Sequence, residues 1–239
     1  MTKKLFDFYI DERGEYQGLL AMLNGDFTSN AQYRAEGYGI PNDIAAQIRA
    51  DAECPALATF LKQRYREYHA ELRQSLRFHK KFWKQHGAEY KEKFEKILGH
   101  EMPTYTVRLA LQASGFSNWH DPDITCYAFE YLRPYKTGHM ILTLVWESML
   151  SQTFIDIRKK HPESDIDDYN TWGISELTAV VGVYQTDISP QSGDWDIGYS
   201  ELVPYQKKIR ELYRNRKNFD DYLEKAVKYF KKNPLKGKK

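Results

Sequence analysis

The fold is decided by residues 54–99, which read CPALATFLKQRYREYHAELRQSLRFHKKFWKQHGAEYKEKFEKILG. Apolar and aromatic side chains recur at intervals of three and four through this stretch, as they do on one face of an amphipathic helix. The pattern is longer than an ordinary helix, so it predicts two helices with a break at His86-Gly87. Gly99 is predicted to end the second helix, because glycine readily adopts the left-handed conformation of a C-terminal cap.

The hydrophobic pattern changes after Gly99. Residues 104–111 and 124–132 are rich in β-branched and aromatic residues and partly alternate between polar and apolar, which predicts two β-strands. A loop that contains His120 joins them, and the two strands are expected to pair in a small antiparallel sheet.

Helical patterns dominate the rest of the chain. The sequence predicts helices in the second half of residues 4–23, at 42–52 with Asn42 as N-cap, at 137–160, at 174–184, after Pro204, and after an N-cap at Asn218. The predicted fold class is therefore α+β, mainly helical, with long helices and a small antiparallel β-sheet. Residues 1–230 are expected to form a single globular domain, and residues 231–239 a basic flexible tail.

Composition excludes several classes of protein. The chain has 239 residues, of which 41% are hydrophobic and 28% charged, and its mean hydropathy is −0.71. These values are typical of a globular protein and not of a disordered or fibrous one. No apolar run is long enough to span a membrane, and the first residues do not form a secretory signal. A cytoplasmic protein without membrane contact is expected.

The net charge of +2 conceals a separation of charge along the chain. Residues 161–203 contain 9 Asp and Glu but no Lys or Arg, whereas residues 204–239 contain 13 Lys and Arg against 4 acids. Two interpretations stay open. The basic helices lie beside the acidic stretch of the same chain, or the basic C-terminal region binds nucleic acid or an acidic partner.

Sequence motifs of familiar enzymes are missing. The chain has 7 histidines, but no two stand four residues apart, so the zinc-binding H-E-x-x-H motif does not occur. The motifs C-x-x-C, G-x-S-x-G, G-x-G-x-x-G and the P-loop are missing as well. No cofactor is expected.

Two of the predicted apolar helices each contain an isolated acid. Glu147 lies in VWESML, and Glu176 lies in WGISELTA on the next predicted helix. Together with the preceding strands, this layout resembles that of gluzincin-type zincin metallopeptidases over roughly residues 104–185. In that family one helix carries H-E-x-x-H and a later helix supplies a glutamate as the third zinc ligand. The resemblance implies that Glu147 occupies the general-base position and Glu176 the third-ligand position.

The chain departs from that family at both histidine positions. Trp146 stands in place of the first zinc histidine and Leu150 in place of the second, and neither side chain binds Zn²⁺. The resemblance therefore implies a zincin-like scaffold without catalysis, which acts by binding a protein partner. Because aromatic residues often anchor interfaces, Trp172, Trp195 and Tyr199 are candidates for the binding surface.

Alternatives to this scaffold remain open. In an active hydrolase with an unrecognised site, Glu147 would be catalytic, Glu176 would bind a metal if one is present, and His120, His139 or His161 could complete the site. Both glutamates could instead be structural, held by hydrogen bonds or ion pairs. His79 and His86 are expected to be structural as well. The Asp residues of 165–168 begin like a calcium loop but lack its later glycine and glutamate.

Overall fold

The computed structural model describes residues 4–24, 39–48, 53–112, 116–117, 121–129, 132, 137–184, 186–188 and 199–236. Within these residues the chain is mainly helical, with one small sheet, as the sequence predicts. The sheet consists of β1 (Phe6–Tyr9), β2 (Tyr105–Ala110), β3 (Phe116–Ser117) and β4 (Asp123–Tyr127), in the order β1-β2-β4-β3.

The prediction of an antiparallel sheet is wrong. β1 pairs with β2 and β2 with β4 in parallel, and only the two-residue edge strand β3 runs antiparallel to its neighbour. Parallel neighbours need a long crossover. The helices between β1 and β2 provide the first crossover, and the chain between β2 and β4, which includes β3, is long enough for the second.

The described residues form eight helices. They are α1 (Glu12–Asn24), α2 (Asn42–Ala45), α3 (Pro55–Glu67), α4 (His69–Leu98), α5 (Thr137–Lys160), α6 (Asp168–Tyr184), α7 (Val203–Arg214) and α8 (Phe219–Lys232).

Helix ends show which local signals are reliable. Gly99 caps α4 with a φ of +77°, and Asn218 caps α8 by accepting a hydrogen bond from the Asp221 amide at 2.8 Å, both as predicted. The break between the two long helices was predicted in the wrong place: it falls at Tyr68, and α4 continues through Gly87, which is buried against Leu5.

The predicted N-cap of α2 is also shifted. Asn42 is the first residue of the helix and Pro41 occupies the cap position, without a side-chain capping bond. Residues 49–52, in the second half of this predicted helix, lie outside the described part of the chain.

Helix α6 is the centre of the C-terminal half. Every residue from Asn170 to Tyr184 is buried, because α5 packs along it and α7 and α8 also contact it. Leu235 closes the same core: its side chain is buried, and its amide donates to the Asn170 side chain at 2.7 Å. This part of the segment predicted as a flexible tail therefore packs against the domain.

Gly173 allows the C-terminal segment to approach α6 closely. A β-carbon at this position would lie 2.6 Å from Leu235 and 3.1 Å from Leu202. We expect Gly173→Ala to lower the free energy of unfolding by about 1–3 kcal/mol, the usual cost of crowding a packed core. Urea denaturation measures this loss, and Gly87→Ala, where the nearest atom is 3.8 Å away, is the control. Equal effects of the two substitutions would contradict close packing at Gly173.

Part of the charge separation is resolved within the chain. Lys231 of α8 pairs with Asp165, Asp220 pairs with Lys160 at 2.9 Å, and Glu224 contacts His161 at 3.2 Å. These contacts join α8 to the end of α5 and the following loop. The Lys231–Asp165 pair is the one of the three that sets a base of the C-terminal region against an acid of residues 161–203. Across the described residues, each helix is too short or too polar to cross a lipid bilayer.

Candidate functional site

Glu147 and Glu176 lie on the two most closely packed helices, α5 and α6. Both side chains point into the protein, with exposed fractions of 7% and 5%. Each carboxyl group lies within the electrostatic range of the other. The structure therefore brings together the two acids that the sequence singles out, in a buried position.

Two indole rings contact the Glu176 carboxyl group. The Trp172 Nε1–H donates to Glu176 Oε1 at 3.1 Å from one turn earlier on α6. The indole of Trp146, the residue before Glu147 on α5, also lies close enough to the Glu176 carboxyl group to favour its charged form. The sequence does not predict this role for Trp146, although its position beside Glu147 in an apolar helix places it in the same region.

Burial dominates the protonation of this pair. Removal of the Glu176 carboxyl from water, together with the nearby Glu147 carboxylate, raises the pKa of Glu176 to about 8, against the opposing effect of the two indole donors. Glu176 is therefore mainly protonated at neutral pH.

The other candidate ligands do not join this pair in the described part of the chain. There, no three His, Cys, Asp or Glu side chains are placed to hold a metal ion together. His161 instead contacts Asp165 at 2.7 Å and Glu224 at 3.2 Å. His120 and the side chain of His139 lie outside the described residues.

The aspartates proposed as a calcium loop have separate partners. Asp165 pairs with Lys231, Asp168 pairs with Arg158, and Asp167 accepts hydrogen bonds from Asn170 at 2.7 and 2.9 Å. Each carboxylate therefore stabilises a local contact, and the loop joins α5 to α6 and α8.

Two predicted structural histidines lie on α4. His79 is completely buried, stacks near Phe8 at 5.1 Å, and its pKa is lowered to about 4 by burial. His86 is partly buried, with its ring 4.5 Å from that of Phe82. Both positions agree with a structural role.

An aromatic cluster extends from the buried acids to the surface. Trp172 stacks on Tyr169 with ring centroids 5.5 Å apart, and Tyr199 meets Trp172 edge-on at 4.9 Å. Tyr199 remains 39% exposed. We call Tyr169, Trp172 and Tyr199 the aromatic platform. It contains two of the three residues predicted as a binding surface, while Trp195 lies outside the described residues.

Comparison with known proteins gives no relative: no protein-family model, curated protein or solved structure matches this chain. The function has to be inferred from the side chains of the site.

Proposed function

We propose that this protein is a non-catalytic scaffold, zincin-like in layout, that binds a protein partner through the aromatic platform. The observation that carries the proposal is the double contact of Trp146 and Trp172 with the Glu176 carboxyl group. We infer that the two indoles take the place that a metal ion and a catalytic water would have in a zincin.

The contact of Trp146 with Glu176 supports the zincin-like layout. By the resemblance, these residues stand at the positions of the first histidine ligand and the third, glutamate ligand. An indole N–H can only donate a hydrogen bond, so it cannot bind Zn²⁺ as a histidine nitrogen does. We infer that the contact of Trp146 with Glu176, and not a metal ion, joins α5 to α6 at this point.

The hydrogen bond from Trp172 to Glu176 stabilises the aromatic platform. Because Trp172 is bonded to the buried Glu176 and stacked on Tyr169, its orientation is fixed before a partner binds. Tyr199 packs against this support and keeps 39% of its surface exposed. A rigid aromatic group loses little conformational entropy on binding, which is why Tyr and Trp often dominate interface energies.

Panning a random peptide library displayed on phage against the full-length protein tests this proposal. We expect enrichment of peptides that bind wild type, with at least about tenfold weaker binding to Tyr199→Ala, because an interface anchor contributes more than about 1.4 kcal/mol. Leu132→Ser is the matched control, since Leu132 is another exposed apolar residue, at 66%. Failure to enrich peptides, or equal binding by the Tyr199 variant, would contradict the proposal.

The active-hydrolase alternative makes the opposite prediction about metal. Stoichiometric zinc in the purified protein, lost in Glu176→Ala, would overturn the non-catalytic proposal. Peptide hydrolysis that is lost in Glu147→Gln would overturn it as well. We expect neither.

A further inference from the structure

Helix α7 lines an open groove of about 680 Å³. The groove extends from Val203 to Asn215, which at 1.5 Å per helical residue is about 18 Å. All of the lining residues that the structure describes lie on one face of α7. The lining residues are Val203, Gln206, Lys207, Arg210, Glu211, Arg214 and Asn215.

The charged side chains give the groove a positive character. Lys207 and Arg214 are exposed and stand seven residues apart, on one face of α7. Neither forms an ion pair within the described part of the chain. Glu211, the acidic residue of the lining, is paired with Lys208 at 2.9 Å, so its charge is largely compensated.

The groove has an apolar end as well as a basic one. Val203 begins α7 and is 51% exposed. Tyr199 of the aromatic platform lies four residues earlier, in the turn that leads into the helix. Along α7 the surface therefore changes from the exposed, aliphatic Val203 to the basic Lys207 and Arg214.

We propose that the α7 groove binds an acidic segment of the protein partner, with apolar residues at the Val203 end and carboxylates on Lys207 and Arg214. This inference rests on the proposed function, because it names the class of partner. The guanidinium of Arg214 can bind a carboxylate in a bidentate manner. Opposite charges that face each other across an interface favour both encounter and specificity.

Composition of the groove favours an acidic peptide over nucleic acid. Single-stranded nucleic acids need aromatic side chains on which bases stack, and the described lining contains none. Exposed Val203 instead suits an aliphatic peptide side chain.

Fluorescence anisotropy with a defined probe tests the groove. The probe is a labelled nonapeptide, Gly-Leu-Leu-Glu-Asp-Glu-Glu-Asp-Glu, and the full-length protein is titrated into it. We expect saturable binding that weakens as salt rises, and at least tenfold weaker binding by the Lys207→Glu/Arg214→Glu variant. Both positions are exposed, so circular dichroism melting is expected to match wild type.

The control variant is Lys80→Glu/Lys84→Glu, which makes the same change in net charge on exposed positions of α4. It is expected to bind the probe within about twofold of wild type, because charge outside the groove acts mainly at long range and is screened by salt. Equal losses in the two charge-reversal variants would overturn the groove proposal. So would binding of a dT12 oligonucleotide that is tighter than that of the peptide.

The two proposals fail in different ways. Library peptides that need Tyr199 but bind equally well to the Lys207→Glu/Arg214→Glu variant would overturn the groove proposal and leave the proposed function standing. If the library yields no binder and the acidic probe does not bind, both proposals are overturned.

Discussion

Glu176→Gln is expected to stabilise the protein increasingly as the pH rises from 5 to 7.5. The folded state holds the pKa of Glu176 at about 8, against an ordinary value of 4.5. The unfolded chain therefore releases this proton at a lower pH than the folded one does. Stability from the protonated carboxyl is fully present below pH 4.5 and is lost as the pH rises through 8.

A glutamine side chain imitates the protonated carboxyl without titrating. Each pH unit between the two pKa values costs wild type about 1.4 kcal/mol, so the difference between the proteins should change by roughly 3 kcal/mol between pH 5 and pH 7.5. Urea denaturation at both pH values measures it. Glu163→Gln, at an exposed position, is the control. If the stabilities of wild type and Glu176→Gln changed with pH in parallel, the raised pKa of Glu176 would be contradicted.

The second large effect is expected at Glu15 of α1. Its carboxylate is completely buried and lies at the carboxyl end of β2. It accepts hydrogen bonds from the Tyr65 hydroxyl at 2.6 Å and from the backbone amides of Leu111 and Gln112 at 2.9 and 2.6 Å. Burial and the adjoining Glu15 raise the pKa of Tyr65, which keeps its hydroxyl protonated as a donor.

We expect Glu15→Ala to lower the free energy of unfolding by about 3–5 kcal/mol, because three buried donors lose their acceptor. Tyr65→Phe removes one of these bonds and is expected to cost about 1 kcal/mol. Urea denaturation measures both, with Glu12→Ala on the same helix as control. Faster hydrogen exchange at the amides of residues 111 and 112 should accompany the loss. A loss below 1 kcal/mol in Glu15→Ala would show that these bonds do not stabilise the strand end.

Local patterns in the sequence predicted most of the helices and the two strands β2 and β4, but not β1, β3 or the parallel pairing of the sheet. The spacing of apolar residues in α3 and α4 predicts their faces, and Gly99 and Asn218 mark their ends through backbone chemistry that depends on neighbouring residues alone. Strand β1 was missed because four residues carry little periodicity. Its parallel pairing was not predictable from local pattern, since Phe6 pairs with Tyr105, far along the chain.

For the candidate site as well, the sequence predicted some features and missed others. Although their approach to each other was left open, Glu147 and Glu176 were predicted as site residues because each acid is isolated in an apolar helix. The contact of Trp146 with Glu176 was not predicted, because periodicity indicates a helix face and not which atoms meet across it. Glu15 gave no signal at all: its partners are backbone amides, which every sequence contains.

Burial of α6 along its whole length has a consequence for how the protein folds during synthesis. The ribosome releases α6 before α7, α8 and Leu235, which cover it. Until those later residues emerge, the apolar side chains of α6 are not fully covered. They are then a site for aggregation or chaperone binding. Completion of this core therefore waits for residues 203–235, and a nascent protein stalled before residue 203 would expose apolar surface of α6.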